Sequence, residues 1–242
     1  SIQLPDGVKD LKYQKDAVIQ GYQMLMQHNG LFLADVVGLG KTMIATMIAK
    51  RFVEANGKNT NILVVYPPAL EDNWRNTFKL FGIYKKAQFV TNGSLSKVLE
   101  GKDNYKDKEE FDLIIVDEAH HSMSDSYQRV LQYFDTANVL GVTATPDRAD
   151  QKNLGKFFNS KAYEYSMHQA VRDGYLCPVR AQMIPLELDI NSVGLSNGDY
   201  AVGEIGSALD PYLNQIALEM LNYCKGRKTV VFLPLVKTSQ KF

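Results

Sequence analysis

Residues 38–42 read Gly38-Leu39-Gly40-Lys41-Thr42, and residues 117–121 read Asp117-Glu118-Ala119-His120-His121. A glycine-rich turn lets backbone N–H groups approach phosphate oxygens, and the helix that starts behind it adds a favourable dipole. Lys41 at the helix entry suits the β- and γ-phosphates of a nucleoside triphosphate, and the Thr42 hydroxyl suits its magnesium ion. Two adjacent carboxylates at the end of a buried strand are costly unless a cation or a proton transfer uses them. Asp117 then holds magnesium through water, and Glu118 orients and deprotonates an attacking water. A ligand-free helix entry competes with the first reading and a pair of solvated loop acids with the second. The two motifs in one chain favour triphosphate chemistry. One position departs from the general phosphate-loop pattern: Asp35 stands where the pattern has its first glycine.

Both motifs follow short apolar runs, Leu31-Phe32-Leu33-Ala34 and Leu113-Ile114-Ile115-Val116, which read as buried strands. Apolar spacing predicts a helix over residues 11–27, stopped by Asn29-Gly30, and a second from Lys41 to a stop at Asn56-Gly57. Ile62-Leu63-Val64-Val65 reads as a strand broken by Pro67-Pro68, and residues 70–81 as a helix with Trp74, Phe78 and Phe81 on one side. That spacing makes the three aromatics core residues rather than a base-stacking surface. Short strands are expected at 88–90 and 139–142, a charged loop over 101–110 and a helix over 124–134. Strands alternating with helices imply a parallel sheet covered on both faces, with ligands beyond the C-terminal strand ends, where both motifs lie. Beyond residue 176 the pattern predicts a connecting strand over 178–188, a loop over 191–206, a helix over 208–223 and a buried strand over 229–233.

The chain has 242 residues, 45% of them apolar and 22% charged, enough for one large or two modest globular domains. No apolar run is long enough to span a membrane, and no signal peptide is evident, so a cytoplasmic or, in a eukaryote, nuclear setting is expected. Cys177 and Cys224 lack metal-type spacing and read as reduced, buried thiols. Lysine plus arginine equals aspartate plus glutamate at 27 each, which excludes a globally basic nucleic-acid binder but not a local basic surface. Residues 181–224 hold six acids and no lysine or arginine, and should not face phosphates. Residues 148–180 carry six basic residues against three acids and are the better side for a polyanion.

The order of these motifs resembles the first RecA-like domain of a superfamily 2 helicase or translocase of the DEAH-box-containing kind, over nearly all of the chain. Leu11-Lys12-Tyr13-Gln14 resembles the glutamine motif, in which Gln14 would read adenine. Residues 33–42 resemble motif I, and in its Swi/Snf-type branch an aspartate occupies the place of Asp35. Val65-Tyr66-Pro67-Pro68 with Trp74 resembles motif Ia, which touches the nucleic-acid backbone. Residues 117–120 resemble motif II, with His120 coupling nucleotide to motif III, which Thr143-Ala144-Thr145-Pro146 resembles. Residues 141–150 and 173–178 are more similar to the DNA-repair, phage and restriction-motor branch, so the residues assign no subfamily.

The resemblance implies a RecA-like P-loop domain over 1–176, a mostly parallel sheet with helices on both faces. A connecting segment over 177–226 and the truncated start of a second RecA-like domain over 227–242 would follow. It implies ATP and magnesium as cofactors, held by Gln14, Gly38, Leu39, Gly40, Lys41, Thr42 and Asp117. Glu118 and His120 would complete the catalytic set, and Thr143 and Thr145 would couple nucleotide state to lobe movement. The expected partner is DNA, with RNA as the alternative, contacted at its backbone through Pro67, Pro68, Thr91, Asn92 and Arg148. The remainder of the second domain and subunits of a restriction or remodelling complex are further expected partners. No Gln-x-x-Gly-Arg-x-x-Arg pattern occurs in the chain, so hydrolysis by these residues alone is expected to be very slow. Two other classes stand beside the motor: a non-catalytic nucleotide-binding scaffold, and a protein-remodelling ring ATPase. Gln14 and the Thr143–Thr145 segment fit helicases better than the ring.

Overall fold

The computed structural model describes residues 3–35, 40–57, 59–101, 105–117, 133–134, 136–143, 161–183, 185, 193–196 and 199–242. The chain divides into two compact units, Ser1–Pro178 and Val179–Phe242. The first contains β1 (Gly30–Asp35), β2 (Ile62–Tyr66), β3 (Ala87–Thr91), β4 (Leu113–Asp117), β5 (Asn138–Thr143) and β6 (Lys161–Tyr165). Its helices are α1 (Lys12–His28), α2 (Lys41–Asn56), α3 (Glu71–Leu80), α4 (Leu95–Leu99) and α5 (Met167–Arg172). The six strands form one sheet in the order β3-β2-β4-β5-β1-β6, and each neighbouring pair is parallel.

The apolar runs are continuous because both faces of the sheet are covered. Leu31, Leu33, Ile62, Val64, Leu113, Ile115, Leu140 and Val142 pack on one side with Val18 and Leu25 of α1, Ile44 and Phe52 of α2, and Trp74 and Phe78 of α3. The alternate residues Phe32, Ala34, Leu63, Val65, Ile114 and Val116 pack on the other side with Leu95 and Val98 of α4 and with Phe134. Successive strand side chains point to opposite faces, so one sequence feeds two cores. The expected α/β RecA-like architecture, with helices on both faces of a parallel sheet, is present in this unit.

The local stops follow backbone chemistry. Asn29 caps α1 in the left-handed region at φ 56°, so that β1 starts at the next residue. Gly57, at φ 90°, ends α2 and donates its N–H to the Val53 carbonyl. Gly21 lets α1 lie against α2: a Cβ there would stand 2.8 Å from Ile48 Cδ1.

The second unit departs from expectation. Of the strand expected over 178–188, the described residues 178–183 and 185 form none, and Met183 is 90% exposed; residues 184 and 186–188 lie outside the described residues. Residues 229–233 pair with no strand among the described residues, and Phe232 is also 90% exposed, although their β-branched run reads as buried. An apolar run states what a segment could bury; a ladder also needs a neighbouring edge. The Gly-Ser-rich stretch instead holds a short antiparallel pair, β7 (Leu195–Ser196) and β8 (Asp199–Tyr200), then α6 (Val202–Leu209). Gly206 on α6 sits against Leu235, a closeness only a small residue permits. The helix expected over 208–223 is broken by a 3₁₀ turn at Asp210–Tyr212 before α7 (Leu213–Cys224), and α8 (Val236–Lys241) follows. Lys241 pairs with Asp210. Cys177 is exposed and Cys224 half-buried, both free, which corrects the expectation of buried thiols. The helix expected over 124–134 lies outside the described residues, apart from Tyr133 and Phe134. No described helix is long and apolar enough to cross a membrane.

Candidate functional site

The parallel sheet brings every described candidate to its C-terminal edge. β1 and β4 flank β5, with Asp117 level with Val142 and Thr143 level with Ala34. Strand spacing therefore puts the ends of β1 and β4 about 10 Å apart, with Thr143, buried at 1% exposure, between them.

Gly40 is the N-cap of α2 at φ 87°, a left-handed conformation that glycine adopts without a Cβ penalty. Lys41 and Thr42 form the first turn, whose N–H groups have no acceptor within the helix and so suit an anion. Gln14, on α1, is 7% exposed. Its Nε2 donates to the Tyr13 hydroxyl at 3.2 Å and lies 2.8 Å from where a Cβ on residue 40 would be. The fold thus seats Gln14 directly against the phosphate turn, 26 residues away along the chain. A cavity of about 370 Å³ opens there, lined among others by Val8, Leu11, Gln14, Gly40, Met43 and Leu80. Its walls are mostly apolar, with the Gln14 amide and the charged Asp6 and Lys9 at the lining, a mixture that suits a flat heterocycle with polar edges.

Asp117 ends β4 at 5% exposure, and its Oδ2 accepts the Trp74 indole N–H at 2.7 Å. The Asn73 amide donates to Thr42 Oγ1 at 3.0 Å. Asn73 and Trp74 are therefore parts of this site that sequence reasoning missed. Trp74, Phe78 and Phe81 are buried as expected. The indole N–H of Trp74 points inward to Asp117, in keeping with its reading as a core residue. α3 itself is held by Arg75, which bonds Tyr84 at 3.0 Å and lies over the Phe89 ring, while its 2.8 Å bond to Glu71 one turn back stays within the helix. Burial works against the guanidinium charge, but the Glu71 and Tyr84 bonds outweigh it and raise its pKa further.

A magnesium ion is held by one or two protein oxygens together with waters and substrate phosphates, and does not need a cage of carboxylates. A hydroxyl at the helix entry and a buried carboxylate, joined through neighbouring residues of one helix, fit that requirement.

The described nucleic-acid candidates, Pro67, Pro68, Thr91 and Asn92, gather at the β2–β3 corner of the same edge. Tyr66 is level with Thr91, so Pro67 and Pro68 leave β2 beside Thr91 and Asn92 at the end of β3. Asn92 Oδ1 is buried with no hydrogen-bond partner among the described residues. Gly38, Leu39, Glu118, His120, Thr145 and Arg148 lie outside the described residues.

A family model for the type III restriction enzyme, res subunit, matches residues 8–97 and 84–148, more than half of the chain. The chain belongs to this family. Among curated relatives, a 51.5 kDa protein of a Lactococcus phage is 25% identical over 207 residues, 85% of this chain and 44% of the phage protein. The type I restriction enzyme EcoAI endonuclease subunit of Escherichia coli is 24% identical over 197 residues, 74% of this chain and 24% of that subunit. The chain thus spans less than half the length of these relatives. A fragment described as an HsdR subunit of a type I restriction enzyme from Vibrio vulnificus shares the fold at a TM-score of 0.66 and 24% identity, covering 91% of this chain and 41% of its own. The family match supports the expected superfamily 2 helicase-like, RecA-like first domain.

Proposed function

We propose that this chain is the ATP-gripping first lobe of a motor that hydrolyses ATP to move along nucleic acid, with double-stranded DNA as the track. The observation that carries the reading is the meeting of Gln14 with Gly40 at the mouth of α2, beside Lys41 and Thr42, and the tie through α3 to Asp117. Gln14 accepts the adenine edge within the cavity, and Lys41 with the first-turn amides of α2 takes the β- and γ-phosphates. Thr42 and Asp117 hold magnesium, which when bound neutralises charge on the transferred phosphoryl group. Glu118, the residue after β4, orients and deprotonates the water. His120, Thr143 and Thr145 carry the nucleotide state toward a second lobe that residues 227–242 begin. Pro67, Pro68, Thr91, Asn92 and Arg148 meet the nucleic-acid backbone, since a motor must step over any sequence. Kinship with restriction subunits supports a place within a larger complex.

The test is ATP turnover by the intact protein with duplex DNA, single strand and RNA. Duplex stimulation is expected, Lys41→Ala should abolish turnover, and Glu118→Gln should bind ATP without releasing product. No stimulation by any of the three, or full activity in either variant, removes the motor reading; nucleotide binding without turnover favours a scaffold. The 242 residues alone should bind nucleotide and turn it over slowly, because an arginine from another lobe contributes roughly 10³–10⁵ in rate in such sites. Turnover by these residues at the rate of the intact protein would contradict that.

A further inference from the structure

Two consecutive side chains of α3 each hold one group of the metal-binding pair. Asn73 Nδ2 donates to Thr42 Oγ1 at 3.0 Å, and Trp74 Nε1 donates to Asp117 Oδ2 at 2.7 Å. Thr42 belongs to the entry of α2 and Asp117 to the end of β4, so α3 is where these two elements are referenced to each other. We propose that Asn73 and Trp74 form a positioning clamp that fixes the Thr42 hydroxyl and the Asp117 carboxylate for the magnesium of a bound magnesium–nucleotide. The proposal rests on reading the site as a magnesium–nucleotide site.

The chemistry of the two donors decides their role. An indole N–H only donates, so Trp74 cannot ligate a cation. A carboxylate has about four lone-pair directions, so one indole bond sets its orientation without exhausting its capacity. Trp74 is 0% and Asp117 5% exposed, so water does not compete for this bond. A hydroxyl rotates freely unless a neighbour fixes it, and the Asn73 amide takes one of its two lone pairs. α3 is held independently by the Arg75–Tyr84 bond and by the Phe78–Phe89 edge-to-face contact. The clamp therefore orients its two targets from a fixed base. It also lies a short step along the chain from Pro67 and Pro68, at the corner where the described nucleic-acid candidates gather.

The clamp makes magnesium-dependent affinity, rather than nucleotide affinity in general, the quantity it controls. The experiment measures binding of a fluorescent ADP to the 242-residue protein in magnesium chloride and in EDTA, for the unaltered chain, Trp74→Phe and Asn73→Ala. In the unaltered chain magnesium should tighten binding. In each variant that gain should shrink by about tenfold, as losses of groups that orient metal ligands do, while affinity in EDTA stays within about twofold. Asn73 lies on the exposed side of the clamp, so Asn73→Ala decides the matter even if Trp74→Phe fails to fold. Trp74 is also the only tryptophan, so its emission in the unaltered chain should respond to magnesium–ADP and not to ADP in EDTA. Equal loss of affinity with and without magnesium would mean a packing role and overturn the clamp. A magnesium gain undiminished in Asn73→Ala would overturn it while leaving the nucleotide site standing. No magnesium gain in the unaltered chain would overturn both.

Discussion

The Gln14 amide nitrogen lies where it would be 2.8 Å from any Cβ on residue 40, so the adenine candidate and the phosphate turn share one boundary. Gly40 also holds φ at 87°. Gly40→Ala therefore has two separable consequences. The left-handed backbone costs about 1–2 kcal/mol with a side chain present, seen as a lower midpoint in urea unfolding without ligand. The new methyl also pushes the Gln14 amide off its seat, so ATP affinity should fall by more than phosphate affinity does. A variant as stable and as tight as the unaltered chain would mean that neither the strain nor the contact matters.

Gln14→Ala removes the amide from a largely apolar cavity and leaves Lys41 and Thr42 in place. A site built to hydrogen-bond a base edge rejects the wrong base strongly, whereas an apolar pocket discriminates weakly. The expected outcome is loss of preference for ATP over GTP in competition binding, with tripolyphosphate affinity retained. Preference for ATP undiminished in Gln14→Ala would remove the base-reading role.

What the sequence made legible divides along physical lines. β1, β2, β4 and β5 were readable because strands buried on both faces carry unbroken apolar runs. The run at 229–233 has the same composition and joins no sheet among the described residues, since hydropathy does not supply a neighbour. α6 was hidden in a stretch rich in glycine and serine, where Gly206 is needed for its approach to Leu235. Lys41, Thr42 and Asp117 were legible because their local spacing is itself the signal. The Trp74–Asp117 bond was not, because helical periodicity places a side chain in the core and says nothing about where its one polar atom points. The partner is 43 residues further along the chain, and only the strand order brings it there.

The contact between α1 and α2 sets where α2, the helix proposed to bind phosphate, stands. A Cβ on Gly21 would stand 2.8 Å from Ile48 Cδ1, and Ile48 is fully buried. Gly21→Val adds branched bulk to a packed contact, a change that costs about 1–3 kcal/mol, partly offset by the better helix propensity of valine over glycine. Lower thermal stability is expected, together with weaker nucleotide binding as α2 shifts away from Gln14. A rise in stability would show that the two helices have room to spare.

The last consequence concerns acid. Asp173, after α5, has a lowered pKa: chiefly because the Tyr165 hydroxyl donates to it at 2.7 Å, and then because of the adjacent Arg172. Tyr165 in turn stacks on Tyr13 with ring centroids 5.1 Å apart, so this carboxylate helps hold the aromatic support of α1. A carboxyl whose folded pKa is below its unfolded value stabilises the fold at pH values above the ordinary aspartate pKa of about 3.9. That contribution fades as pH falls through the lowered folded value. Tyr165→Phe keeps the ring and removes the hydroxyl. The Asp173 side-chain carbon signal should then titrate at higher pH, toward the ordinary aspartate value. Any stability difference from this bond, measured by urea unfolding, should be present near neutrality and vanish in strong acid. Because Asp173 is exposed to solvent, the difference should be small and should shrink with added salt. An Asp173 titration that does not move in Tyr165→Phe would assign the lowered pKa to Arg172 instead.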